Sequence, residues 1–242
     1  MKIPTLLLLL FAMPGWSAAE STFESRRAAL VAEVGQEVRE TAYYTGIGRL
    51  DSAVMAAIAA VPRHEFVPAQ LRERAYENTA LPIGADQTIS QPFIVALMTH
   101  LARLGEDSIV LEVGTGSGYQ AAVLASIVRH VYTIEIVESL GRRAEATLGR
   151  LGYGNVTVRI GDGYAGWPEA GPFDAIVVTA APDEVPEPLL AQLRPGGRLV
   201  VPVGGQHEAQ SLEVIEKRED GGVETTEVLP VMFVPLTRGG PR

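Results

Sequence analysis

Ile109-Val-Leu-Glu-Val-Gly-Thr-Gly-Ser-Gly-Tyr119 reads as an apolar strand that breaks into glycines and restarts as a helix. Glycine has no Cβ, so backbone can come close to a ligand there, and the helix that follows presents its free amides. Everything after Ser108 repeats the same alternation. Strands are expected at Val131–Ile136, Val156–Ile160, Phe173–Val178 and Arg198–Pro202, with helices at Tyr119–Arg129, Ser139–Leu151 and Pro188–Leu193. Nearly continuous apolar runs separated by helices indicate a mostly parallel sheet, buried on both faces. After Gly205 the pattern changes to polar–apolar alternation over Ser211–Lys217 and Thr225–Val234, with Asp220-Gly-Gly222 between. That is a hairpin signal, so the sheet should end in an antiparallel pair.

Before Ser108 the chain reads as helical: Ser21 to about Thr41, then Asp51–Ala60, stopped by Pro62. Pro62-Arg-His-Glu-Phe-Val-Pro68 is a rigid connector. Leu81-Pro-Ile-Gly-Ala-Asp-Gln-Thr-Ile-Ser90 reads as a loop leading into a helix that opens on Gln91-Pro92, where proline's missing N–H costs nothing. The expected organisation is one domain over residues 20–242, with a helical part at 20–105 and an α/β core at 106–242.

Bulk composition narrows the function. With 47% hydrophobic and 20% charged residues the chain is a packed globular protein. A formal charge of −9 without a basic run argues against nucleic acid. There is no cysteine, and His64, His100, His130 and His207 lack metal-ligand spacing, so no metal is expected. Lys2, an apolar run from Leu6 to Met13 and Ser17-Ala-Ala19 have the layout of a secretory signal cleaved after Ala19. The run is too short for a stable membrane span. A genuine signal places the protein in the periplasm or outside the cell; a start assigned too early leaves it in the cytoplasm. N-terminal sequencing of the native protein separates the two.

Three acids follow the strand-end rule for ligands in doubly wound sheets. Glu112 ends the first core strand, Glu135 the next, and Asp162 follows the third. Glu135 is where a carboxylate accepts bonds from ribose hydroxyls, and Asp162 could accept from an adenine amino group. Tyr119 stands where a dinucleotide fingerprint wants Gly or Ala, which disfavours a nicotinamide dehydrogenase. Acids in place of a pyrophosphate cradle suit S-adenosylmethionine, whose far end is cationic. Each acid alone is as well explained by a solvated turn; the spaced set is what points to a ligand.

Gln87-Thr-Ile-Ser-Gln-Pro92, Glu112-Val-Gly-Thr-Gly-Ser-Gly-Tyr119, Gly161-Asp-Gly163, Phe173-Asp-Ala-Ile-Val-Val-Thr-Ala-Ala-Pro182, Leu193-Arg-Pro-Gly-Gly197 and Phe233-Val-Pro-Leu-Thr237 together resemble the protein-L-isoaspartate (D-aspartate) O-methyltransferase family. The resemblance runs from about Ser25 to Thr237, and the Gln87–Pro92 motif is its most diagnostic part. It implies a Rossmann-like class I methyltransferase fold with a mostly parallel seven-stranded sheet, a C-terminal antiparallel hairpin and an N-terminal helical extension. It also implies methylation of the α-carboxylate of isoaspartyl residues in damaged proteins and peptides, with S-adenosylhomocysteine as the other product, by an enzyme expected to be a monomer. By motif, Ser90 corresponds to the active-site serine, and Gln87, Thr88 and Ile89 lie beside cofactor and substrate. Glu112, Gly114 and Gly116 would line the methionine end, Glu135 would take the ribose hydroxyls, and Asp162 with Gly163 would face adenine. Thr237 would lie near the cofactor, while Ala180, Ala181 and Val203 would shape the peptide cleft.

An isoaspartyl carboxylate is ionised at neutral pH and is its own nucleophile. Ser90 has no His–Asp partner in the surrounding sequence, so it reads as an orienting hydrogen-bond donor rather than a covalent nucleophile. A helix cap is the competing reading of the same serine. Two other functions compete: methylation of a different carboxylate or small molecule, and an exported binding module that keeps the fold without turnover. Paired Asp and isoAsp peptides would separate the first, and cofactor binding without turnover would mark the second.

Overall fold

In a computed structural model, residues 18–205 and 208–239 are described. The expected signal segment therefore lies outside the described residues apart from Ala18 and Ala19, which begin the first helix, as does the tail from Gly240 onward. The N-terminal part holds α1 (Ala18–Thr45) and α2 (Ser52–Ala60), then 3-10 turns at Arg63–Glu65 and Ala69–Arg74. Leu81–Ser90 is not the loop expected from sequence. It forms a small antiparallel hairpin of β1 (Leu81–Gly84) and β2 (Gln87–Ile89), pairing Leu81 with Ile89 and Pro82 with Thr88. Both residues of its two-residue turn, Ala85 and Asp86, have positive φ (53° and 55°), as the tight primed turns of hairpins require. Helix α3 (Pro92–Leu101) follows with Pro92 in its first turn.

The core sheet has seven strands: β3 (Ile109–Val113), β4 (His130–Glu135), β5 (Val156–Ile160), β6 (Phe173–Val178), β7 (Leu193–Val203), β8 (Gln210–Lys217) and β9 (Val223–Val231). Their order is β5-β4-β3-β6-β7-β8-β9. The first five are parallel; β8 and β9 add antiparallel, as the change of pattern after Gly205 implied. Helices α4 (Tyr119–Ala125), α5 (Glu138–Arg150) and α6 (Glu187–Ala191) make the crossovers.

Strand alternation divides the core in two. Val110, Val131, Ala175, Val177 and Val200 pack with the N-terminal helices and α4. Their strand neighbours Leu111, Val113, Ile134, Ile176, Val178, Leu199 and Val201 pack on the other face with Phe173 and Leu189. Burial on both faces is why these strands read as nearly continuous apolar runs. The chain leaves β3 toward β4 and β5, then returns to β6 on the other side of β3. That reversal is the topological switch point, and the glycine turn stands directly after it. Among the described residues no helix is long and apolar enough to cross a membrane.

Candidate active site

Gly114 to Ser117 emerge from β3 into a cleft at the carboxyl ends of the parallel strands. Gly114 has φ 99°, and a Cβ there would lie 2.5 Å from Thr179 Oγ1. Only glycine allows that approach, and the Thr179 hydroxyl uses it by donating to the Gly114 carbonyl at 2.6 Å. Glu135, at the end of β4, holds the same turn from the other side. The residue is 5% exposed, and its carboxylate accepts from the Gly116 amide (2.7 Å) and the Val137 amide (2.8 Å). One carboxylate thus fixes two backbone segments of the cleft.

The hairpin closes a second wall. Arg143 of α5 donates to the Ile83 carbonyl (2.5 Å), and Ile83 packs over Gly116. This brings Gln87, Thr88, Ile89 and Ser90 to face the glycine turn. A third wall is the C-terminal segment Val234–Thr237. The Ala181 amide donates to the Val234 carbonyl (2.8 Å) and the Leu236 amide to the Ala181 carbonyl (2.7 Å). The cleft between these three walls is partly open to solvent.

Ten of the residues singled out from sequence line this cleft: Gln87, Thr88, Ile89, Ser90, Gly114, Gly116, Glu135, Gly163, Ala180 and Thr237. Four stand behind it. Glu112 is fully buried within β3, where Thr133 Oγ1 donates to its Oε2 (2.5 Å) and Thr115 shares a hydroxyl contact with Thr133 (2.6 Å). Its Oε1 has no hydrogen-bond partner among the described residues. Burial pushes its pKa up to about 8, with the charge on Glu135 adding to the rise and the Thr133 bond opposing it. Asp162 caps the turn Gly163–Ala165 by accepting from the Tyr164 amide (2.9 Å), and its other oxygen meets the Gly239 amide (3.4 Å). Ala181 serves the cleft through its backbone pairing, and Val203 ends β7 outside the lining.

Ser90 is not consumed as a helix cap. Asn78 Oδ1, from another segment, accepts from the Phe93 amide (3.0 Å) in the first turn of α3. Sequence reasoning did not find Thr115, Ser117, Tyr119, Gln120, Ile136, Val137 and Thr179 as lining residues. Tyr119 carried a signal, since it departs from the dinucleotide pattern, but only its negative side was legible. Among the described residues no group of three His, Cys, Asp or Glu could hold a metal ion.

A switch-point glycine turn, an acid ending the second strand and a hairpin facing both define a class I, Rossmann-like methyltransferase site. The sequence pattern of the family described as protein-L-isoaspartate (D-aspartate) O-methyltransferase matches residues 40–240. The chain belongs to this family. It is 56% identical over 234 residues to protein-L-isoaspartate O-methyltransferase 2 of Syntrophobacter fumaroxidans, covering 97% of this chain and 95% of the relative. It is 58% identical over 208 residues to protein-L-isoaspartate O-methyltransferase 2 of a Polaromonas species, covering 86% and 99%. A solved protein-L-isoaspartate O-methyltransferase superposes with a TM-score of 0.76 at 29% identity, over 89% of this chain and 67% of that one. A Plasmodium falciparum structure of the same described type, in complex with S-adenosyl-L-homocysteine, gives 0.73 at 25% identity, over 88% and 99%.

Proposed function

We propose that this protein methylates the free α-carboxylate of L-isoaspartyl residues in damaged proteins and peptides, with S-adenosylmethionine as donor, so initiating their repair. The observation that carries this reading is the placement of Gln87–Ser90 opposite Gly114–Ser117 across one cleft. The donor supplies a methyl group on a sulfonium. The carbon–sulfur bond breaks as a carbon–oxygen bond forms, leaving a neutral thioether and a methyl ester. The acceptor carboxylate is already ionised, so no base is required.

The protein's share is binding and alignment, which can supply about 7–11 kcal/mol of the barrier. Glu135 and the amides of the glycine turn fix the nucleoside end. Ile134, Ile136, Val137 and Leu236 supply apolar walls that keep water from the reacting groups. Ser90 donates its hydroxyl to one carboxylate oxygen and so presents the other to the methyl group. Transfer of labelled methyl to an isoaspartyl peptide, against the same peptide with ordinary aspartate, tests the function. Equal labelling of the two would overturn the specificity.

Ser90→Ala is expected to lower kcat/KM for the isoaspartyl peptide about 10- to 50-fold, corresponding to one hydrogen bond to a charged group. Cofactor affinity should stay within about threefold, because one lost hydroxyl leaves the Glu135 contacts untouched. Steady-state kinetics with calorimetric cofactor binding checks both numbers, and full activity would remove Ser90 from the mechanism.

A further inference from the structure

Arg63 is buried completely, and it lies directly behind Ser90. Its Nη2 donates to the Ser90 carbonyl (2.8 Å) and to the Thr79 carbonyl (3.2 Å), joining the Pro62–Pro68 segment to the end of the hairpin. The guanidinium carbon sits 4.7 Å from the centre of the Tyr119 ring, and Tyr119 itself lines the cleft. Nε and Nη1 make no hydrogen bond of good geometry among the described residues. The groups acting on the guanidinium are the hydroxyls of Tyr119 and Tyr76, that of Tyr119 also as a side-chain hydrogen-bond partner, with no carboxylate among them. Burial lowers its pKa to about 10, so it remains a cation at neutral pH.

A buried cation without an anion is costly, and such charges are ordinarily paired. The anion that arrives at this place in the reaction is the substrate carboxylate. We infer that Arg63 is a positioning residue for methyl transfer, fixing the Ser90 backbone from behind and supplying the positive charge that draws the isoaspartyl carboxylate to Ser90. This rests on the isoaspartyl reading above. The guanidinium is bonded to Ser90's own backbone carbonyl (2.8 Å), and in a buried setting a neighbouring charge alters anion binding by about one to two orders of magnitude.

The charge acts on the carboxylate in the bound complex and on the charge it still carries in the transition state. Removing Arg63 should therefore raise KM without lowering kcat. For Arg63→Gln we expect KM for an isoaspartyl peptide to rise about 30-fold, with kcat and the S-adenosylmethionine Kd within about threefold. Arg63→Lys, which restores the charge without the fork, should recover KM to within about fivefold of the wild type. A purely structural role would instead weaken cofactor binding, since Ser90 and Tyr119 line the cofactor cleft, and lysine would do no better than glutamine. Either of those results, or an unchanged KM in Arg63→Gln, overturns the inference.

If the glutamine variant does not fold, Arg63→Lys carries the test alone between pH 7 and 9. A buried ammonium loses its proton far more readily than a guanidinium, so peptide KM should climb with pH in this variant and stay flat in the wild type. Parallel profiles would sink the proposal. The wild type is assayed first: no turnover of isoaspartyl peptide defeats the functional reading and this inference with it, whereas turnover with unaltered variants defeats the inference alone.

Discussion

Glu135→Ala is expected to raise the Kd for S-adenosylmethionine by two to three orders of magnitude. The carboxylate accepts from the Gly116 and Val137 amides, so its removal unties the glycine turn from the loop after β4. These two bonds are intramolecular, at about 1.5–3 kcal/mol each, and their loss weakens binding by leaving the glycine turn to be ordered at the cofactor's expense. Loss of the acceptor for the ribose hydroxyls adds to this. Glu135→Gln should fall between alanine and wild type, because its amide nitrogen would face one of two backbone donors and can accept from neither. Calorimetric titration with S-adenosylmethionine, alongside thermal melts that confirm folding, makes the comparison. An alanine variant binding within threefold of wild type would show that the turn needs no tether.

The second large effect lies inside the sheet. Glu112→Gln should stabilise the protein at pH 8 by about 2–4 kcal/mol, and hardly at all at pH 4. The folded-state pKa of Glu112 stands near 8, raised first by burial, against an ordinary value of 4.5 in the unfolded chain. Between those two values the unfolded chain releases a proton that the native protein retains. Stability is thus full below about pH 4.5, declines as pH rises toward 8 by about 1.36 kcal/mol per unit, and levels off above. Glutamine mimics the protonated acid and can still accept from Thr133, so it escapes the decline. For a chain of this size the gain at pH 8 corresponds to roughly 5–10 °C in Tm. Melting both proteins from pH 4 to 8 gives the difference directly, and a gap that does not widen with pH would rule the account out.

Much of the architecture is legible in the residues themselves. Val110, Leu111, Val113, Ile134, Ala175–Val178 and Leu199–Val201 are apolar because the sheet is covered on both faces, with Glu112 and Asp174 as the polar interruptions. The shift to alternation over 211–217 marks where antiparallel strands take over. The hairpin β1–β2 was not legible. Its turn is Ala85-Asp86 rather than Asn-Gly or Asp-Gly, and its strands are too short to show a period. Arg143 and the packing of Ile83 over Gly116 hold it in place, and neither contact is local in sequence.

The site divides in the same way. Residue types and spacing alone brought out the glycine turn and the strand-end acids, since backbone approach and charge placement follow from local chemistry, while the roles of Gln87–Ser90 came from the family resemblance. Tertiary structure decided what each acid does. Glu135 reaches the cleft, Glu112 turns into the core beside Thr133, and Asp162 is engaged by the backbone of Tyr164 and Gly239. The physical reason is that strand position fixes which face a side chain takes, while burial and the neighbours on that face fix its protonation and its partner. The same holds for Arg63, an ordinary connector residue by sequence, which becomes a buried cation behind Ser90 only when the chain folds back on itself.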